Sequence, residues 1–184
     1  RHTFGGALSL HLMRHFYTLL LHLLLPFVLL RLLLRSLRAP AYRERWSERF
    51  GRVPESVQPG GLWIHAVSVG EVQAIAPLVR LVLRHHPGHP VFITTTTPTG
   101  SATVKRLFGE QVGHAYMPYD LPWALRPFLQ KVAPTQLLMV ETEIWPNLLA
   151  ACRSAGVASL LANGRMSERS LARYQRVNRF ARHV

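Results

Sequence analysis

Cysteine is almost absent: the 184-residue chain has one, Cys152. That excludes an internal disulfide framework and suits the cytosol. Cys152 lies in the helix-like stretch NLLAACRSAG with no base beside it, so it reads as packing and not as a nucleophile. Acids are scarce too, with 9 Asp+Glu against 22 Lys+Arg and a formal net charge of +13. Such an excess favours polyanions, either nucleic acid or an anionic membrane surface. There is no internal repeat, no low-complexity tract and no G-x-x-x-x-G-K-[ST] phosphate loop. No second cluster of ligands has metal spacing. His85, His86 and His89 in RHHPGHP fall on a turn between a helix and a strand and read as surface residues, so neither a metal nor a cofactor is expected. Apolar residues, in contrast, are plentiful at 48%, enough at this length for one domain with a real core.

The apolar run FYTLLLHLLLPFVLL, 16–30, carries no formal charge, and Arg31 interrupts it before three more leucines. A full membrane span needs roughly 20 apolar residues, and flanking arginines can snorkel. His22 and Pro26 weaken the pattern slightly. No small-residue cleavage site follows the run, so a retained anchor is expected in place of a cleaved signal, either spanning the bilayer or lying in its interface. Arg31, Arg35, Arg38, Arg43, Arg45 and Arg49 all follow it. Positive-inside bias then puts the rest of the chain on the cytoplasmic side. With the arginines gathered there and not interleaved with aromatics near a groove-reading element, the charge reads as a membrane footprint and no nucleic-acid partner is expected.

Three parts follow: a tail and membrane-anchor helix over 1–38, a basic linker over 39–61 ending in the turn-rich SVQPGG, and an α/β domain over 62–184. In that domain strands are expected over 62–69, 91–97, 114–118, 137–141 and 159–162, and helices over 71–86, 100–108, 122–132, 145–155 and 167–182. The first strand, LWIHAVSV, is apolar enough for burial on both faces. Repeated β-α units of this kind predict a Rossmann-like open parallel sheet with right-handed crossovers. Ligands of such sheets bind beyond the carboxyl ends of the strands, where SVGE, TTTTPTGS and ETEIWPN all fall.

Ser68, Gly70 and Glu71 form the first of these turns. Gly70 permits a tight bend or close approach to a ligand, and Glu71 sits where a helix dipole favours a carboxylate. Glu71 is therefore a candidate proton acceptor for a substrate hydroxyl, or simply a helix-start residue. In TTTTPTGS, Thr96, Thr97, Thr99 and Ser101 offer hydroxyls beside a helix start, suited to a phosphate or sugar, or to capping alone. In VETEIWPN, Glu141 and Glu143 share one face of a strand end. They either line the cleft or form a structural ion pair, with Arg165 as a possible partner. The four tryptophans, Trp46, Trp63, Trp123 and Trp145, are scattered and read as packing residues.

The stretches APAYRERWSERFG, HAVSVGE, TTTTPTGS, YMPYDLP, VETEIWPNLL and LANGRMSERS together resemble the amino-terminal half of the Kdo transferase family, in its order and spacing from about Met13 onward. The resemblance implies the amino-terminal, acceptor-binding half of a GT-B glycosyltransferase, preceded by a membrane-anchor helix. It implies transfer of 3-deoxy-D-manno-octulosonic acid (Kdo) from CMP-Kdo to the lipid A precursor in lipopolysaccharide biosynthesis, at the bacterial inner membrane on its cytoplasmic side. By the same resemblance Glu71 is the general base and Glu141 a transition-state acid, with Ser68, Gly70, Thr97 and Arg165 around the substrate. It also implies a carboxy-terminal CMP-Kdo-binding domain beyond Val184, and hence that this chain alone is inactive. ANGR and VETEIWPN stand where the family usually has ANAR and METELWPN. A non-catalytic module binding anionic lipid is the other reading, but such a module has no use for two acids facing its ligand.

Overall fold

The computed structural model describes residues 4–140 and 145–162, with side chains from residue 12 onward. One long helix, α1 (Phe4–Arg38), runs unbroken through Pro26. Two 3₁₀ turns, Pro40–Arg43 and Trp46–Phe50, lead into the sheet. The α/β part then alternates: β1 (Leu62–His65), α2 (Val69–His85), β2 (Val91–Thr95), α3 (Pro98–Phe108), β3 (Gly113–Tyr116), α4 (Pro122–Val132), β4 (Gln136–Val140), α5 (Pro146–Ser154) and β5 (Ala158–Ala162). All four strand pairings are parallel, in the order β3-β2-β1-β4-β5. The expected open parallel sheet is present, with its most apolar strand at the centre.

Side chains alternate across β1, so its neighbours in sequence serve different cores. Trp63 enters a cluster with Phe92, Phe128, Leu137 and Leu148, beneath α4 and α5. Ile64 enters the other, with Val72, Val79, Ile93 and Val104, beneath α2 and α3. This two-sided cover is what makes the central strands continuously apolar.

Several boundaries moved. The strand expected over 62–69 ends at His65, because the Ser68 side chain caps a helix that already begins at Val69. The strand expected over 91–97 ends at Thr95, because Thr97 caps α3 and Pro98 occupies its first turn. The helix expected over 167–182 lies outside the described residues.

The basic stretch 39–61 is docked on the sheet. Glu48 Oε2 accepts the Tyr116 N–H at 2.8 Å, and Val57 is buried in the core beneath α4 and α5. Gly51 has φ +88°, and a Cβ there would stand 2.0 Å from the Ala124 carbonyl oxygen, so the chain can pass α4 only as glycine. Arg45 and Arg49, expected to belong to the membrane footprint, turn inward instead. Arg45 Nε pairs with Glu48 Oε1 at 2.7 Å, and Arg49 is 6% exposed. A guanidinium can be buried here because the acid, the carbonyls and the tyrosine faces beside it replace water.

Candidate functional site

The strand order reverses between β1 and β4, which makes the crevice beyond their carboxyl ends the place for a ligand. Ser68 and Glu71 stand on the β1–α2 turn at that point. They form a variant of the capping box: Ser68 Oγ accepts the Glu71 N–H at 3.5 Å, while Glu71 Oε1 accepts the Ser68 hydroxyl at 2.8 Å and Oε2 the N–H of Val67, one residue before the cap, at 2.7 Å. Glu71 is 7% exposed. A carboxylate held by two short bonds at a helix N-terminus has a fixed direction. Gly70 is not needed for the bend. It lies within α2 without a positive φ, and a Cβ would meet nothing nearer than Ser68 Oγ at 4.0 Å. Its missing side chain leaves the first turn of α2 open to solvent.

The second turn is tied to the first. The Thr96 N–H and hydroxyl both reach the Val67 carbonyl at 3.3 Å. Thr97 Oγ1 accepts the Gly100 N–H at 3.1 Å and the Thr99 hydroxyl at 3.3 Å. Arg49 Nη2 donates to the Thr96 carbonyl at 2.9 Å, and its guanidinium lies 4.3 Å from the Tyr116 ring centre. Burial lowers the Arg49 pKa, against the tyrosines and Glu48 around it, which raise it. Nε of Arg49 is buried and has no hydrogen-bond partner among the described residues.

At the third and fourth turns Asp120 is the organiser. Its carboxylate accepts the Asn147 N–H at 3.1 Å and the Leu148 N–H at 2.7 Å, so it caps α5 from a different part of the chain. The Asn147 Nδ2 donates to the Asp120 carbonyl at 2.7 Å and to Thr18 Oγ1, on α1, at 2.9 Å. Burial raises the Asp120 pKa, partly offset by those backbone N–H groups and the Tyr17 hydroxyl. Trp123, expected to be packing, is 47% exposed, stacks on Phe50 with ring centres 6.0 Å apart, and donates Nε1 to His22 of α1 at 3.1 Å.

The structure thus brings Ser68, Gly70, Glu71 and Thr97 to one edge. Glu141, Glu143 and Arg165 lie outside the described residues. Arg49, Asp120 and Asn147 were not singled out as site residues. Their only signal in the sequence is that they sit in the RERWSERFG, YMPYDLP and ETEIWPN stretches. His85, His86 and His89 are exposed at the other end of the sheet, and no metal-binding group occurs among the described residues. Burial pushes the Cys152 thiol up to about 11, which keeps it protonated and unreactive.

Two histidines, His65 buried and His114 half-buried, make the fold acid-sensitive. Burial lowers the His65 pKa to about 4 from the ordinary 6.5. Burial and the adjacent Arg45 guanidinium lower that of His114 to about 3. Arg45 Nη2 donates to His114 Nδ1 at 3.0 Å, so the ring is neutral with its proton on Nε2, 3.1 Å from Thr95 Oγ1. Below pH 6.5 the unfolded chain takes up protons that the folded chain refuses. Stability is therefore intact above about pH 6.5 and is lost as pH falls towards about 4, by up to about 1.4 kcal/mol per pH unit for each ring. Urea midpoints between pH 7.5 and 4.5 should show this slope, and His114→Gln should reduce it. An unchanged slope would remove His114 from this account.

A family profile described as 3-Deoxy-D-manno-octulosonic-acid transferase (kdotransferase) matches residues 44–184. A 3-deoxy-D-manno-octulosonic acid transferase of Haemophilus influenzae is 42% identical over 166 residues, covering 89% of this chain and 39% of that protein. One from Bordetella pertussis is 42% identical over 167 residues, covering 86% and 39%. A probable mitochondrial 3-deoxy-D-manno-octulosonic acid transferase of Arabidopsis thaliana is 35% identical over 151 residues, covering 81% and 34%. The chain spans about two fifths of the length of the curated relatives it matches.

Proposed function

The chain belongs to the 3-deoxy-D-manno-octulosonic-acid transferase family, and from that premise we propose that it is the acceptor-binding part of an enzyme that moves Kdo from CMP-Kdo to the lipid A precursor. The observation that carries this reading is the Glu71 carboxylate, held in a fixed direction at the point where the strand order reverses, beside a loop of threonine hydroxyls. A sugar hydroxyl is a poor nucleophile at neutral pH. Glu71 takes its proton as the hydroxyl oxygen bonds to the anomeric carbon of Kdo. The bond from that carbon to the phosphate oxygen breaks, and CMP departs with the electron pair. Positive charge that develops on the sugar is stabilised by a second carboxylate, Glu141. Ser68 orients Glu71. Gly70 and Thr97 leave room and hydroxyl contacts for the acceptor, and Arg165 is a further substrate-binding residue. Neither metal nor cofactor has a step in this scheme.

CMP-Kdo is bound mainly by a carboxy-terminal domain, the second half of a GT-B enzyme. The catalytic face lies on the cytoplasmic side of a bacterial inner membrane, in lipopolysaccharide biosynthesis. The basic, apolar amino-terminal helix supports that location, because the acceptor carries phosphates and acyl chains. The test is transfer from CMP-Kdo to the lipid A precursor in detergent. The complete two-domain protein should transfer, and the 184-residue chain alone should not reach that rate. A complete protein that binds anionic lipid without any transfer would favour the non-catalytic alternative.

A further inference from the structure

The apolar run has the length of a membrane span: Leu12–Arg38 covers 27 residues and contains a window of 18 with mean hydropathy 2.1. Its amino end, however, is tied to the α/β domain, and its carboxyl end runs straight into the basic stretch that is docked on the same sheet. Near the amino end, Thr18 Oγ1 accepts from Asn147 Nδ2, the Tyr17 hydroxyl stands beside the Asp120 carboxylate, and His22 accepts from Trp123. Near the carboxyl end, Arg43 Nε donates to Ser36 Oγ at 2.9 Å, and the Arg35 guanidinium lies 4.5 Å from the Tyr42 ring centre. Thr18 and Ser36 stand eighteen positions apart, about 27 Å along a helix. The hydrocarbon core of a bilayer is about 30 Å thick. A spanning segment must put its ends on opposite sides of that layer, and a domain rich in buried polar contacts cannot follow it through. The exposure pattern agrees. Thr18, Leu21, Leu25, Leu29, Leu32 and Ser36 are at least half-buried, at intervals of three and four residues. The residues on the opposite face, Phe16, Leu20, Leu23, Phe27, Leu30 and Leu34, are all exposed, from 43% to 69%. So one stripe of α1 is partly covered, against α5 and the turn that follows the helix, and the rest is an exposed apolar surface flanked by Arg31 and Arg38.

We propose that α1 seats the protein in one leaflet, lying in the plane of the membrane with its outer face among the lipids, and does not span it. Large apolar side chains beside arginines suit the boundary between acyl chains and anionic headgroups. Asn147 and Trp123 belong to the first turns of α5 and α4, at the carboxyl edge of the sheet. The helix therefore crosses beside the crevice, and in-plane seating brings the mouth of the crevice to the lipid surface. This inference rests on the membrane location proposed above and goes beyond it by excluding a spanning geometry.

Depth measurement decides it. In a Cys152→Ala background, single cysteines replace Phe16, Leu20, Leu23, Phe27, Leu30 and Leu34 in turn. Each carries an environment-sensitive fluorophore, in vesicles of phosphatidylethanolamine and phosphatidylglycerol with lipids that carry quenchers at known depths. In-plane seating gives one shallow depth at all six sites, roughly 5–10 Å into the acyl boundary. A probe at Leu25 should be shielded by the domain. A V-shaped profile, with the probes at Leu23 and Phe27 deeper than those at Phe16 and Leu34 by about 10 Å or more, overturns the inference and leaves membrane location intact. Absence of quenching at every site, with the protein left in the supernatant, overturns both. Neither result bears on Kdo transfer in detergent, which is tested separately.

Discussion

Replacing Glu71 with Gln in the complete two-domain protein is expected to lower kcat by about 10²–10⁴-fold, the usual share of general-base catalysis. That is roughly 3–5 kcal/mol of barrier. Gln keeps the length and one acceptor oxygen, so the Val67 N–H that Glu71 Oε2 now accepts keeps a partner. It loses the ionised oxygen that takes a proton. KM for the acceptor should change far less than kcat, because the lost interaction forms only as the hydroxyl reacts. The structure makes one control necessary. Glu71 is also half of a capping box with Ser68, and loss of a cap costs about 1 kcal/mol of stability. A unfolding midpoint for the same variant separates the two roles: capping alone lowers stability and spares kcat. If Glu71→Gln keeps more than about a third of wild-type kcat, well above the general-base expectation, Glu71 is a capping acid and the proposed mechanism fails.

Trp63→Ala should be the most damaging single change to the fold, at about 3–5 kcal/mol. Trp63 is completely buried on the central strand, with its ring centre 5.0 Å from that of Phe128. Its Nε1 donates to Thr94 Oγ1 at 2.9 Å, so the bond joins β1 to β2 through their side chains. Alanine leaves a cavity between the sheet and α4 that the parallel strands cannot close without breaking register. Trp63→Phe keeps most of the volume and loses chiefly the hydrogen bond, so it should cost about 1–2 kcal/mol. Denaturant unfolding in detergent gives both values. A loss below about 1 kcal/mol for Trp63→Ala would mean that the site collapses freely, contrary to the rigid packing described.

The order and type of the elements were legible because each has a local cause. Period-2 and continuous apolar runs mark the strands, Pro122 marks a helix start, and Ser68 and Thr97 are capping residues by type. Even the boundary errors at 62–69 and 91–97 were local, since a capped helix start won over an apolar strand end. The placement of Ser68, Gly70, Glu71 and Thr97 on one edge was legible for a topological reason, because every βα turn of a parallel sheet falls on the same side.

What the sequence could not supply are contacts between residues far apart in the chain. Nothing local distinguishes Arg45 and Arg49 from Arg35 and Arg38. Arg45 is half-buried and Arg49 buried because Glu48, His114, Ser101 and the Thr96 carbonyl come together around them. Asp120 precedes α4 in sequence and caps α5 in space, since β3 and β4 stand on opposite sides of β1 and only the folded sheet brings their turns together. The run 16–34 has the composition of a span, and composition is a sum over residues. Whether its two ends can part across a bilayer depends on Thr18 and His22 meeting Asn147 and Trp123 of the α/β domain, a property of the tertiary structure alone.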